Sequence, residues 1–105
     1  MFTRHVTMKL KANSAAEFNR IIENEVLPLL RKQKGFRDEI VLIAPERSEP
    51  VANSFWDTKA DAQAYNSTGY PELLKTLSTV VEGTPTVETF EVSNSTCHKI
   101  AAQAA

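Results

Sequence analysis

Apolar residues recur at nearly every second position from Phe2 to Leu10. Phe2, Val6, Met8 and Leu10 share one face, while Thr3, His5, Thr7, Lys9 and Lys11 take the other. A period of two with one apolar side predicts a half-covered strand. Arg4 falls on the apolar side and is the exception. After Asn13-Ser14 the period changes, and Phe18, Ile21, Ile22, Val26, Leu29 and Leu30 form one helical stripe. Ser14 and Glu17 stand at capping-box spacing and predict where the helix starts. Gly35 predicts its end, just after the basic run Arg31-Lys32-Gln33-Lys34, where positive charge meets the negative end of the helix dipole. Pro28 removes a backbone donor and predicts a bend near residues 24–27.

Phe36 to Ile43 reads as a second strand. Its end, Ile40-Val41-Leu42-Ile43, is apolar on both faces, which predicts cover on both sides of the sheet there. A charged loop with two prolines, Ala44 to Pro50, leads to a third strand, Val51 to Trp56, and the short link predicts a hairpin. Thr58 and Asp61 repeat the capping-box spacing and open a second helical region. Asn66 to Gly69 interrupts it. Pro71 restarts it, with Tyr70, Leu73, Leu74, Leu77, Val80 and Val81 on one stripe. Gly83-Thr84-Pro85 ends that helix, and Thr86 to Val92 is the last strand. The order β-α-β-β-α-β predicts an α+β, ferredoxin-like domain over residues 1–92, a four-stranded antiparallel sheet with helices on one face. Residues 93–105 form a tail, read either as frayed or as a short helix packing on a partner. An uncovered, partly apolar sheet face predicts self-association into a homodimer.

Bulk composition narrows the functional classes. The chain has 105 residues, 42% of them hydrophobic and 24% charged, as expected of one globular domain. A net charge of -1 gives no general attraction to nucleic acid or an anionic membrane. No apolar run approaches the roughly 20 residues that span a bilayer. The N-terminus lacks the apolar core of a signal peptide, so a cytoplasmic location is the expectation. On that expectation the glycosylation-type triplets at Asn66 and Asn94 are chance. Cys97 is the only cysteine, which rules out an internal disulfide and a cysteine zinc cluster. No nucleophile elbow, P-loop, dinucleotide fingerprint or metal-ligand spacing occurs, so no cofactor is expected.

Three stretches carry a family resemblance: "EVLPLLRKQKGFRDEIVLI", "FWDTKADAQAY" and "GYPELLKTL". Together with the first and last strands, they resemble the antibiotic-biosynthesis monooxygenase superfamily of dimeric α/β barrels over about residues 2–92. The resemblance implies two subunits packed sheet to sheet, each with a pocket between its own sheet and helices. It implies three functional options. Some members oxidise aromatic polyketides with dioxygen and no metal or flavin, others cleave haem, and many have no assigned activity. The sequence departs from the family at telling positions. Tyr65 stands where many members carry a His, nine residues after the strand-three Trp. Ala52 and Ala62 stand where polyketide oxidases carry an Asn and a Tyr. Residues 70–82 contain no His to ligate haem iron.

Five residues are the candidates for chemistry. Trp56 reads as a core anchor for the second helix or as a pocket wall that stacks on a flat substrate. Tyr65 offers a phenol to a ligand or simply ends a helix in water. His5 has a pKa suited to proton abstraction, yet it lies on the polar strand face that the resemblance assigns to the dimer interface. Arg4 on the apolar face must be paired. An ion pair with Glu88 is the expected structural partner, and an oxyanion of substrate is the functional alternative. Asn53, mid-strand, faces either a ligand or a cross-strand partner. The leading expectation is a cofactor-independent monooxygenase for a small planar phenol or enol, with His5 or Tyr65 removing the proton and Arg4, Asn53 and Trp56 binding substrate. The alternative is a non-catalytic small-molecule binding or sensing dimer, and a haem-related role ranks third.

Overall fold

The structure is a computed structural model that describes residues 1–44 and 46–100. The last five alanine-rich positions of the tail and the first loop proline lie outside the described residues. Strand β1 spans Phe2–Leu10, β2 Phe36–Ile43, β3 Pro50–Trp56 and β4 Val81–Glu91. They form one antiparallel sheet in the order β2-β3-β1-β4. Helices cover one face, giving the ferredoxin-like arrangement that the order of elements predicts. The alternation of β1 is kept residue by residue: Phe2, Arg4, Val6, Met8 and Leu10 are buried beneath the helices.

The first helical arm has three parts. Helix α1 is Ala15–Ile21, a π-helical turn follows over Ile22–Val26, and α2 is Leu27–Arg31. The Leu27 N–H reaches back to the Ile22 carbonyl, five residues away. Pro28 has no N–H to offer Asn24, so the ladder widens just before it. The expected bend is therefore a widened turn. The Ser14–Glu17 capping box does not form. Ser14 is not extended (φ -105°, ψ 1°), and its hydroxyl turns back to the Ala12 carbonyl. Glu17 pairs with Arg20 instead.

The second helical arm is α3, Lys59–Ser67, and α4, Gly69–Leu77, with the break at Thr68. Thr58 caps α3 as expected, accepting the Asp61 N–H at 3.1 Å. The arm is shorter than its apolar stripe suggests. Val80 and Val81 are buried but lie beyond α4, and Val81 already begins β4. Gly83-Thr84-Pro85 does not separate a helix from a strand. It lies inside β4, where Gly83 takes φ +65° and the register against β1 shifts between Thr7 and Lys9. A bulge accommodates the proline that a regular ladder excludes.

The uncovered face carries Ile40, Leu42 and Phe90, between 48% and 57% exposed. The expected double cover of β2 is absent from the single chain: only Val41 and Ile43 face the helices. Within the tail, residues 93–100 form no helix, and His98 pairs with Asp38 at the edge of the open face.

Gly35 joins the two layers. It sits at φ +78°, its carbonyl accepts the Asp57 N–H at 2.8 Å, and an added Cβ would collide with the Asp61 carboxylate. Gly35→Ala should therefore destabilise the domain by about 1–3 kcal/mol. Urea denaturation of Gly35→Ala and of the double variant with Asp61→Gly, each against its own single-variant background, separates the two causes: removing the whole Asp61 side chain should relieve the clash and leave the backbone cost.

Candidate functional site

The sheet sorts the five sequence candidates into two groups. Arg4, Trp56 and Tyr65 lie beneath the helices, while His5 and Asn53 lie on the open face. Residues directly opposite in antiparallel strands share a face, and His5 is opposite both Asn53 and Glu88. His5 Nδ1 and Asn53 Oδ1 are 2.8 Å apart, and the Phe90 ring stands edge-on to the imidazole. Asn53 thus takes its cross-strand partner. The Arg4–Glu88 ion pair does not form, because Glu88 is on the His5 side and Arg4 is opposite Thr89. Phe90, which shares the face of Glu88, points into the open surface rather than the core.

Arg4 is only 3% exposed. Its guanidinium donates to Asn66 Oδ1 at 2.8 Å and lies 4.2 Å from the Tyr70 ring centroid and 5.1 Å from that of Tyr65. Two aromatic faces and one amide thus replace the water it loses. Tyr65 is held by Trp56, whose ring stacks on it at 4.8 Å. The Trp56 indole N–H donates to Ser54 Oγ at 2.9 Å, so the one polar atom of the indole is already satisfied. Trp56 is fully buried and serves as a wall behind Tyr65 rather than a surface against a ligand.

A cleft opens between Arg4 and the first helical arm. Arg4, Glu39, Ser54, Tyr65 and Tyr70 form its polar end, and Ile22 and Val26 of the widened turn border it from above. The enclosed space is narrow, about 30 Å³, room for roughly one water. Tyr70 on α4 is half-buried beside it.

Burial raises the Tyr65 phenol above its usual pKa, and the Arg4 charge opposes that only in part. Tyr65 is therefore a neutral donor at physiological pH. Burial also pushes Glu39 up to about 8, again against the pull of Arg4. Glu39, Asn66 and Tyr70 were not among the sequence candidates for chemistry. The parity of β2 carries the signal for Glu39: it alternates with Val41 and Ile43 and so faces the helices. Asn66 is one position past Tyr65 on a helix end, and no sequence signal ties it to Arg4. Among the described residues no group of three His, Cys, Asp or Glu side chains could hold a metal ion. Among them also, no helix is long and apolar enough to cross a membrane.

No family model matches the sequence, and no curated protein matches it. Solved structures do match. A protein of unknown function from Nitrosomonas europaea superposes with a TM-score of 0.75 at 19% identity, covering 97% of this chain and 95% of that one. SnoaB, a cofactor-independent oxygenase from Streptomyces nogalater seen as a point mutant, gives 0.75 at 15% identity over 92% and 97%. A point mutant of MhuD, with two manganese protoporphyrin IX molecules bound per active site, gives 0.74 at 13% identity over 90% and 97%. Further matches from Nitrosomonas europaea, Bordetella bronchiseptica and Deinococcus radiodurans carry the name antibiotic biosynthesis monooxygenase. The chain has the fold of the antibiotic biosynthesis monooxygenases.

Proposed function

We propose that this protein is a cofactor-independent monooxygenase acting on a small, flat phenol or enol. The observation that carries the reading is Arg4, a buried cation beneath the helices at a cleft that also holds a neutral phenol. An ionised enol or phenol is electron-rich enough to react with dioxygen directly. Stabilising that anion in a water-poor site is the contribution the side chains can make. Arginine has five N–H donors, and its bond to Asn66 and its approach to the Tyr65 and Tyr70 phenols leave capacity for a substrate oxyanion. Tyr65 adds a neutral O–H. For a reacting CH₂ group, one atom of dioxygen enters the product as a carbonyl oxygen. The other leaves as water with the two hydrogens of that group.

The likeness to SnoaB supports this reading at the level of fold, and the sites on the fold carry the function. The second reading is a binding or sensing module of the same shape, favoured by the narrowness of the cleft. A haem role fits poorly. Among the described residues the two histidines are His5, across the sheet, and His98, in the tail, and the cleft as it stands admits no porphyrin. The proposal includes a homodimer. Ile40, Leu42 and Phe90 form an apolar surface that a second sheet would cover, with His5 and Asn53 at its centre.

Oxygen uptake with a panel of anthrone-like phenols and enols should exceed the uncatalysed rate. Arg4→Met should lower it about 100-fold, the usual loss for one oxyanion donor. No uptake by the wild-type protein across the panel would favour the binding module. Haemin titration should leave the Soret band unshifted. Sedimentation should find a dimer at micromolar concentration and a monomer for Leu42→Lys.

A further inference from the structure

We infer that Glu39 is the group that takes the proton from the substrate, with Arg4 holding the resulting anion across Ser54. This rests on the reading of the cleft as a site for an ionising substrate. The register fixes the arrangement. Glu39 on β2 is directly opposite Ser54 on β3, and Ser54 is directly opposite Arg4 on β1. The acid and the cation therefore share one face, two strand spacings apart, about 10 Å between backbones. Only the small Ser54 side chain separates them. Both border the same cleft, yet they form no ion pair, and Glu39 has no hydrogen-bond partner among the described residues. Both line a one-water hollow, so an acidic O–H or C–H entering it meets an unpaired carboxyl and an arginine.

The alternatives are worse placed. His5 is on the far face of the sheet, bonded to Asn53. Tyr65 holds its proton too tightly to act as a base. The groups facing Glu39 are few. Arg4 approaches from β1, Tyr65 from α3 and Tyr70 from α4, while α2 brings Arg31 to a second hollow that Glu39 borders with Arg37 and Asp38. A third hollow, at the edge of the open face, brings His98 of the tail beside Glu39 together with Asp38. Arg37 is occupied by Asp57, and Asp38 by His98. A carboxyl titrating near 8 is a far stronger base than a surface glutamate, and is still partly ionised near neutrality. The substrate class follows: a weak carbon or oxygen acid that arrives neutral and becomes an anion only inside the cleft.

Proton removal can be read without the oxidation. Under anaerobic conditions in deuterated buffer, 2-indanone, a flat ketone with slowly exchanging methylenes, reports proton abstraction by NMR. Wild type should accelerate exchange, with a rate that rises as pH passes through about 8. Glu39→Gln should lose about 100-fold of that acceleration and the pH limb with it. Glu39→Asp, which keeps a carboxylate, should retain part of both. Folding is checked by melting. In the folded chain Glu39 keeps its proton to about 8 against an ordinary 4.5. Its contribution to stability is therefore full below about 4.5 and lost as pH rises through 8. Glu39→Gln should accordingly melt no lower than wild type at pH 8.

Exchange that survives in Glu39→Gln, or no exchange in wild type, overturns the assignment of Glu39, whatever the oxygen-uptake result. Glu39-dependent exchange without oxygen uptake by wild type keeps Glu39 as the base and removes the oxygenase reading instead.

Discussion

Everything under the helices is organised around one buried cation. Transferring a guanidinium from water into a protein interior costs several kcal/mol unless other groups replace its hydration. Arg4 gains that replacement from Asn66 and from the rings of Tyr65 and Tyr70. These partners are themselves held. Trp56 stacks on Tyr65, and Ser54 accepts the Trp56 indole proton while lying beside Arg4 across the strand pair. The circuit Ser54–Trp56–Tyr65–Arg4 fixes where α3 sits on the sheet. Among the described residues it leaves Glu39, on the far side of Ser54, as a carboxyl near the charge that forms no ion pair with it.

The same circuit explains why the cleft lies where it does. Helix α3 and the start of α4 supply aromatic rings above Arg4, so the opposite wall must come from the first helical arm. Its widened turn places Ile22 and Val26 there. An apolar ceiling over a polar floor keeps bulk water away from Arg4, while Glu39 on the edge strand stays partly exposed. That exclusion raises the strength of every charge interaction inside.

Sequence reasoning recovered the order of elements because the two periods are clean: two in β1, close to 3.6 in the helices. It found Arg4 for the same reason, since one charge in an otherwise apolar alternation stands out. It failed on the partner. Glu88 shares a face with Phe90 and Val92, and pairing it with Arg4 puts that apolar face under the helices. On an edge strand of a sheet with an apolar open face, hydrophobic residues do not reveal which face is inside. The bulge at Gly83–Pro85 hid the true start of β4 as well. Glu39 escaped notice because the run Ile40 to Ile43 is apolar throughout and masks the parity that would have marked it. The link between Arg4 and Asn66 spans 62 positions and has no local trace.

The π turn over Ile22–Val26 also shapes how the chain can vary in length. Such a turn holds one residue more than an α-helix would at the same rise. Removing one of the five would let the ladder close to a regular helix and leave the flanking residues near their present orientation. A residue removed or added elsewhere in this arm has no such slack and would rotate one end against the other by about 100° about the axis. Phe18 and Ile21, now among the most deeply sunk side chains, would then swing away from the sheet. Relatives sharing this architecture should therefore vary in length at this turn, or in the connection between β2 and β3, and not elsewhere in the arm.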